Sequence, residues 1–279
     1  MPTARERAFN KKVKELIRKA NSMEDAAVKR TIKLLANARK DVAATVASTE
    51  WEAYRLPELK GAIDRTMREF GAKYGVDLRD TQKEFWNHGI DMVDAPLRTV
   101  GIYMVIPEID MSALGIMQDF SADLVTNLGK DASRKITQEM SMGIIGQKSP
   151  YEVMQAVGRN LKDKSIFKSI AARAETITRQ EAGRVLEMAS QARRERAAEV
   201  VPGLGKEWKH GSLSRVPRLS HLLADGQQRK VDEDFNVGGE ELAFPRDPKG
   251  SAGNTINCNC YTIPWHPDWD AVVEAQKAA

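Results

Sequence analysis

Apolar side chains recur every three or four residues through most of the first 200 positions of the chain. In the segment 164–199, for example, Ile166, Ile170 and Ala174 follow one another at this interval. Such spacing places successive apolar residues on one face of an α-helix. The pattern predicts helices over five segments, which are 3–48, 58–74, 77–94, 112–145 and 164–199.

Polar residues and glycines inside this pattern predict where the helices end. Asn21-Ser22 followed by Asp25 should interrupt the first helix, because Asn, Ser and Asp favour helix caps. Gly75 should end the second helix, since glycine is common just past the last helical residue. Gly129 should divide the helix over 112–145. These positions are the predicted boundaries between helices.

Two further stretches of the helical part are informative. Ser149-Pro150-Tyr151-Glu152 is typical of a helix start, with a capping Ser, a Pro at the first helical position and a Glu three residues after the cap. The apolar stretch 100–106 lies between Pro96 and Pro107. It fits either a buried strand or an apolar connector, and its length does not decide between them.

The character of the sequence changes near residue 203. Val201-Pro202-Gly203-Leu204-Gly205 ends the last long helix, and Gly, Pro, Asp and Asn are frequent beyond it. Short segments among such residues predict short strands and ordered loops. We therefore predict an α+β fold class, with a predominantly α-helical region over 1–203 and a small α+β module over 204–279. The module contains little apolar material, so a metal ion or a partner surface would help to stabilise it.

Composition and charge narrow the range of functions. The 279 residues are 42% hydrophobic and 29% charged, which is typical of a folded protein. The net charge of +4 divides into +6 over residues 1–200 and −2 over residues 201–279. This excess permits contact with DNA or an acidic protein, although a solvated helix surface is the simpler explanation. No apolar run reaches the roughly 18 residues that span a bilayer, and no secretory signal is visible. We expect a soluble protein made in a cytosol, without a membrane partner.

His221, Cys258 and Cys260 are the candidate metal ligands. Cys258 and Cys260 are the only cysteines of the chain, and one intervening residue makes them a poor disulfide pair. Thiolates and imidazole suit Zn²⁺, which takes four ligands in a structural site. The alternative is a pair of buried thiols beside a hydrogen-bonded histidine. The fourth zinc ligand is open among His210, His266, Asp225 and water.

Other groupings point less clearly to chemistry. Asp225-Gly226 is typical of a hairpin turn, with a carboxylate ligand as the less favoured alternative. The acidic run 232–234 is expected to be solvated, and the arginines Arg215, Arg218 and Arg246 define no phosphate clamp by their spacing. The common nucleotide-binding, hydrolase and zinc-protease motifs are absent from the sequence. Their absence removes the common enzyme classes and does not exclude an enzyme of another kind. A metal-dependent hydrolase or nuclease built on His221, Asp225 and the cysteines is the alternative.

The C-terminal part of the chain resembles the phage Mu F-like head morphogenesis family, the minor capsid proteins of tailed bacteriophages. The resemblance covers roughly residues 165–262 and rests on the order and spacing of short motifs. These motifs are Ala172–Glu187, Trp208, Arg218-x-x-His221, Asp225-Gly226, Asp232-Glu233-x-Phe235, Pro245-x-Asp247-Pro248 and Asn257-Cys258-x-Cys260. Two positions depart from the family pattern. Ser214 stands where many members carry an Asp, and Asn259 replaces the usual Arg between the cysteines.

What this resemblance implies is a role in assembly, so we expect that the protein is not an enzyme. Members of the family are present in few copies in the capsid and associate with the portal vertex, and some are linked to DNA packaging or delivery. The expected function is therefore that of a minor head protein in the virion, which is assembled in the host bacterial cytoplasm. The expected partners are the portal protein, the major capsid or scaffolding protein and, as a further option, phage DNA. The helix over 164–199 should supply an exposed face for this contact.

Overall fold

The computed structural model describes residues 3–47, 52–103, 105–158, 161, 164–211 and 216–278. Within these residues the chain forms eight α-helices, one short 3₁₀ helix and five β-strands. The helices are α1 (Ala4–Ala47), α2 (Leu56–Thr99), α3 (Ser112–Ile144), α4 (Pro150–Val157), α5 (Ile166–Ala198), α6 (Leu219–Ala224), α7 (Ala252–Thr255) and α8 (Trp269–Ala278). The strands are β1 (Gly205–Lys209), β2 (Gln228–Lys230), β3 (Phe235–Val237), β4 (Glu240–Leu242) and β5 (Tyr261–Trp265), and the 3₁₀ helix covers Ala53–Arg55. The predicted α+β class is confirmed.

The long helices continue through the predicted breaks. α1 runs without interruption through Asn21-Ser22, α2 runs through Gly75, and α3 runs through Gly129, so these three predictions are wrong. The buried apolar residues on both sides of each position stay in phase with one helical face. Packing of that face therefore overrides the local stop signals. None of the helices in the described ranges has a stretch long and apolar enough to cross a membrane.

Other predictions in the helical part agree with the structure. Ser149 accepts a hydrogen bond from the backbone N–H of Glu152, and the Glu152 carboxylate accepts one from the backbone N–H of Ser149, which completes a capping box. α5 begins and ends within two residues of the predicted helix over 164–199. The stretch 100–106 forms a connector without strand pairing in its described residues, and Met104 lies outside them.

Spatial contacts divide the chain into two compact units. The first unit comprises Met1–Glu24, Gln82–Gly115 and Gln180–Ala279, and the second comprises Asp25–Thr81 and Ile116–Arg179. The change from helices to strands lies between α5 and β1, near the predicted boundary between 1–203 and 204–279. The compact units divide the chain at other positions, because the strands share their unit with parts of α1, α2 and α5.

The second unit is helical and packs around one apolar core. Parts of α1, α2, α3, α4 and α5 contribute its buried residues, including Leu35, Ile63 and Leu128. Tyr74 carries a hydroxyl group into this core and donates it to the carbonyl of Ala174 at 3.0 Å. The hydroxyl of Thr178 lies 2.9 Å from that of Tyr74. Because these buried hydroxyls are hydrogen-bonded, their burial carries little penalty.

The first unit contains both sheets. β1 is the central strand of an antiparallel sheet with the order β2-β1-β5, and Gly205 pairs with Lys230 on one side and Trp265 on the other. β3 and β4 form a separate hairpin, whose turn residues Gly238 and Gly239 have φ angles of 63° and 88°. Glycine adopts such angles without strain.

A buried polar face of α5 holds the three-stranded sheet. Glu187 accepts hydrogen bonds from the backbone N–H and the hydroxyl group of Thr262 in β5, at 3.2 and 2.5 Å. Arg194 donates to the same hydroxyl oxygen at 2.6 Å, and Gln191 donates to the carbonyl of Val231 at 2.8 Å. All three α5 side chains are buried. The strand β5 is thereby fixed to α5 through one threonine.

Lys206 in β1 is a second buried cation near this face. Its ammonium group donates to the carbonyl of Ala243 at 2.9 Å and lies 5.2 Å from the centre of the Phe235 ring. Burial, reinforced by the charge of Arg194, lowers the pKa of Lys206 to about 8. The carbonyl contact and the ring compensate in part for the lost hydration.

The expected exposed face of α5 is not present. No residue from Ala174 to Arg194 is exposed, and the exposed residues of this helix lie near its ends, as at Lys168 and Arg196. The expectation that the helix over 164–199 supplies an exposed contact face is therefore wrong. In the central part of the helix, Glu187 and Arg194 make buried hydrogen bonds where the sequence pattern indicated a solvated surface.

Glu187 gives the stability of the fold a pH dependence of defined sign. Burial raises the pKa of this carboxyl group from 4.5 to about 7. The unfolded chain releases the proton near pH 4.5, whereas the folded chain holds it to about pH 7. The free energy of unfolding therefore falls as the pH rises between these values. At about 1.4 kcal/mol per pKa unit, the loss between pH 5 and pH 8 is roughly 2–3 kcal/mol.

Urea unfolding of Glu187→Gln at both pH values checks this expectation. Glutamine does not ionise, so the variant should lack the loss of roughly 2–3 kcal/mol that the wild type shows. Glu84→Gln, at an exposed position of α2, is the matched control and should keep the wild-type pH dependence. Identical pH dependence in the wild type and Glu187→Gln would contradict the raised pKa.

Candidate metal centre

The short helix α6 positions His221. The backbone N–H of His221 donates to the carbonyl of Arg218 at 3.1 Å, and the residue is only 3% exposed. The guanidinium group of Arg218 donates to the carbonyl of Ile256 at 2.6 Å. This bond joins the start of α6 to the segment just before the cysteines, which gives the spacing Arg218-x-x-His221 a structural reason.

Cys258 and Cys260 lie in the segment between α7 and β5. Asn257 before them has a φ of 56°, a left-handed conformation that Asn tolerates better than most residues. The backbone N–H of Cys258 donates to the carbonyl of Thr255 at 3.3 Å. The cysteines are 1% and 3% exposed. Two residues beyond Cys260, Thr262 is held by α5, so the segment is fixed at both ends.

Both sulfur atoms approach the same nitrogen of His221. Its Nδ1 lies 3.4 Å from Sγ of Cys260 and 3.6 Å from Sγ of Cys258, and the three ligand atoms lie within 4.8 Å of one another. In a tetrahedral zinc site, bond lengths of about 2.0–2.1 Å to nitrogen and about 2.3 Å to sulfur place these two ligand atoms about 3.6 Å apart. The two observed nitrogen–sulfur distances match this value. The three predicted residues lie together and can hold a metal ion.

A cavity of about 10 Å³ adjoins the three side chains. Its other lining residues include His210, Gly211 and Arg218. The volume corresponds to about one water-sized sphere. The centre therefore has room for a single small ion and excludes an organic ligand.

The candidates for a fourth ligand differ in their surroundings. None of them belongs to the group of ligand atoms that lie within 4.8 Å of one another in the described residues. The carboxylate of Asp225 accepts a hydrogen bond from the backbone N–H of His210 at 2.8 Å. Asp225 therefore stabilises a turn, as predicted. This turn connects α6 to β2 and is not the predicted hairpin. His266 contacts the carbonyl of Pro202 at 3.1 Å. His210 is the candidate that lines the cavity.

The two thiols differ in acidity. The pKa of Cys258 lies well below its ordinary value, because Cys260 donates a hydrogen bond to its thiolate and His221 lies beside it. The pKa of Cys260 is raised, because this thiol would have to ionise next to the Cys258 thiolate at a buried position. In the pair alone, ionisation of Cys258 is therefore favoured over ionisation of Cys260. A bound cation would favour ionisation of both.

Aromatic rings form one wall of the centre. Trp208 meets the His221 ring edge-on at 6.1 Å and the Phe235 ring at 5.3 Å. Both Trp208 and Phe235 are fully buried. His221 Nε2 is buried without a hydrogen-bond partner among the described residues. Packing, together with the contacts of Nδ1 to the sulfurs, therefore fixes the orientation of the imidazole.

Two residues support the centre in ways that the sequence did not indicate. A Cβ atom at Gly211 would lie 1.8 Å from the carbonyl oxygen of Asn259, so only glycine lets these two segments pass so closely. Arg246 has a φ of 65°, and its guanidinium group occupies the space where Gly183 of α5 lacks a side chain. Two features of the sequence could have indicated these roles. One is the glycine directly after His210, and the other is the position of Arg246 between Pro245 and Asp247.

The remaining motif residues have local structural roles. Asp247 accepts the backbone N–H groups of Ala243 and Lys249 at 2.8 and 2.9 Å, which orders the loop after β4. In the acidic run, Asp232 and Glu233 are exposed as expected, whereas Asp234 pairs with Lys249 at 2.9 Å. Ser214 and Arg215 lie outside the described residues.

Two curated proteins are similar to part of this chain. The uncharacterized protein YqbB of Bacillus subtilis (strain 168) is 36% identical over 114 residues, which cover 40% of this chain and 36% of YqbB. The NAD(+)–arginine ADP-ribosyltransferase EFV of Enterococcus faecalis (strain ATCC 700802 / V583) is 29% identical over 133 residues, which cover 48% of this chain and 26% of EFV. The chain thus spans about a third of one relative and a quarter of the other. No family model and no solved structure matches the chain.

The similarity to EFV corrects one expectation from the sequence. Nearly half of this chain is similar to part of a protein named as an ADP-ribosyltransferase. The expectation that the protein is not an enzyme is contradicted by this finding. The resemblance to the Mu F-like family has no matching family model behind it, and it stays a hypothesis.

Proposed function

We propose that this protein is a minor head protein of a tailed bacteriophage, which binds the portal protein or the inner capsid during head assembly. Support comes from the place that the motifs of the Mu F-like resemblance occupy in the structure. Trp208, Phe235 and His221 pack against one another, and Cys258 and Cys260 meet the His221 ring. Motifs that are far apart in the sequence thus surround one buried centre.

The chemistry of these motif residues fits a role in assembly. Arg218 ties α6 to Ile256, Asp247 orders a loop, and Glu187 holds β5. Each polar group is used to position backbone, which makes a small module rigid without a large apolar core. A rigid module of this kind suits a protein that must dock on other subunits. Contact with packaged DNA extends the proposal, favoured by the net charge of +6 over residues 1–200.

Zinc is the metal in this proposal. One imidazole nitrogen and two thiolates form a donor set that suits Zn²⁺ better than oxygen-seeking ions. The ion would link α6 to the segment before β5 and would add stability to a module that buries little apolar surface. His210, which lines the cavity, is the side chain that we propose as the fourth ligand.

A metal-dependent hydrolase or nuclease at the same residues has less support. A catalytic metal needs an open coordination position and a cleft that admits the substrate. His221, Cys258 and Cys260 are at most 3% exposed, and the adjoining cavity measures about 10 Å³. Arg218 is engaged with Ile256 and Asp225 with the backbone of His210. The geometry therefore favours a closed structural site.

Metal analysis of the purified protein tests the zinc assignment. Protein prepared under reducing conditions should contain about one zinc ion per chain. Cys258→Ser and Cys260→Ser should each lose most of the metal and lower the melting temperature, because metal binding is coupled to folding. His210→Ala should bind zinc more weakly than the wild type.

His266→Ala is the matched control for the metal measurements. This histidine contacts the carbonyl of Pro202 and is not part of the ligand group, so the variant should keep its zinc. Protein that contains no metal, and whose melting temperature a chelator leaves unchanged, would rule out a zinc site.

Co-purification tests the assembly role. The protein and the portal protein encoded by the same genome should form a complex when they are co-expressed, and mass spectrometry of purified phage particles should detect this chain in a few copies. Cys260→Ser, which should loosen the module, is expected to reduce the yield of the complex. Particles without this chain, together with a portal protein that never co-purifies with it, would refute the assembly role.

The similarity to EFV favours a second candidate function, which is ADP-ribosyl transfer from NAD⁺ to arginine. In this transfer a guanidinium nitrogen bonds to the ribose carbon that carries nicotinamide, nicotinamide leaves, and the nitrogen loses a proton. If the chain has this activity, incubation with radiolabelled NAD⁺ and polyarginine should label the polymer and release an equal amount of nicotinamide. Absence of both products would remove this candidate and would leave the assembly role unaffected.

A further inference from the structure

A groove of about 690 Å³ runs along α2 and α3 within the second unit. The residues that line it extend over 64–79 on α2 and over 122–133 on α3. At 1.5 Å per residue, these segments are about 22 and about 16 Å long, or three to four helical turns. Met67 and Val125 contribute buried apolar side chains to the lining. The groove is thus long enough to take several turns of another helix.

Gly71 and Gly75 keep this groove open. They are four residues apart on α2, and a Cβ atom at either position would meet no atom within 4 Å. Gly129 on α3 differs, because a Cβ atom there would lie 3.2 Å from the carbonyl oxygen of Met67. Glycine inside a helix is less stable than alanine. Packing among the described residues does not account for Gly71 and Gly75, whereas a chain that lies in the groove would.

The rim of the groove carries unpaired positive charge. Arg68, Arg79 and Lys130 line the groove and are exposed, and none of them has an ion pair among the described residues. Arg68 and Arg79 are eleven residues apart, which is about three turns along one wall, and Lys130 stands on the other wall. Asp64 is the one carboxylate of this lining and accepts a hydrogen bond from Ser133. The three cations outnumber this one anion, so the net positive charge of the lining complements carboxylates.

The geometry points to a docking site for an amphipathic helix of a partner protein. This helix places small apolar side chains between α2 and α3, where Gly71 and Gly75 allow its backbone to approach closely. Acidic residues about three turns apart on its flank face Arg68 and Arg79. The site goes beyond the proposed function, since it requires neither a phage particle nor a metal ion.

Two synthetic peptides of about 18 residues serve as probes with the full chain. Both present the same Ala/Leu face, and they differ only in carrying Glu or Lys at flanking positions three turns apart. Fluorescence anisotropy should show the Glu peptide binding about tenfold more tightly than the Lys peptide, with an affinity that falls as salt is added. Equal affinity of the two peptides, or no binding of either, would overturn the proposal.

Substitutions at the groove test where the Glu peptide binds. Gly75→Leu places an apolar side chain in the groove, and its Cβ atom would meet no atom within 4 Å. The variant should keep or raise the melting temperature while weakening peptide binding about tenfold. Gly61→Leu is the matched control, because Gly61 lies on α2 outside the groove, with only ordinary contact at 3.7 Å to Arg65. Arg68→Glu should weaken binding, whereas Arg65→Glu, at an exposed position outside the lining, should not.

Three further results would separate this inference from the alternatives. Unchanged peptide binding in both Gly75→Leu and Arg68→Glu would overturn the docking site. Self-association of the wild type that Gly75→Leu abolishes, without peptide binding, would identify a second copy of this chain as the occupant and overturn the partner helix. Failure of the portal complex together with particles that lack this chain, while peptide binding is intact, would refute the assembly role alone and leave this inference supported.

Discussion

The hydrogen bonds between α5 and Thr262 are the constraint on which the C-terminal part of the structure depends. The side chains of Glu187 and Arg194 place polar groups in the protein interior. Leaving either group without a hydrogen-bond partner there would cost several kcal/mol. Thr262 pairs with both: its backbone N–H and hydroxyl group donate to Glu187, and its hydroxyl oxygen accepts from Arg194, whose Nε has no partner among the described residues. A slip of β5 by one residue would turn Thr262 to the opposite face of the sheet. The same bonds therefore set the register of β5 and, two residues earlier, the position of Cys260.

The candidate metal centre follows from this arrangement. One wall is the Trp208 ring in β1, and the imidazole comes from α6, which Arg218 ties to the cysteine segment. Gly211 lets the chain after β1 pass close to Asn259. The sulfur and nitrogen atoms are brought together by polar contacts between segments that are far apart in the sequence and by the small apolar cluster that contains Trp208 and Phe235. This explains how a module with few apolar residues forms a buried centre.

The sequence predicted those features that depend on residue type and periodicity. Helical spacing located α5, the capping signature located the start of α4, and the chemistry of thiols and imidazole selected the three residues that meet in the structure.

The predicted helix breaks failed because a local cap contributes about 1 kcal/mol, which is less than the packing of an apolar face that continues in phase. The prediction of a solvated polar face on α5 failed because periodicity shows which residues are polar but not which groups they contact. Glu187, Gln191 and Arg194 recur at helical spacing, and that regularity was the available sign of a shared polar surface.

The order of the ligands along the chain has a consequence for synthesis. His221 precedes Cys258 by 37 residues and Cys260 by 39, and α5 is complete before any of them leaves the ribosome. Cys260 is the last of the three to be synthesised. An ion that needs all three groups can therefore be captured only after Cys260 has left the ribosome, and it then links parts of the module that were made at different times.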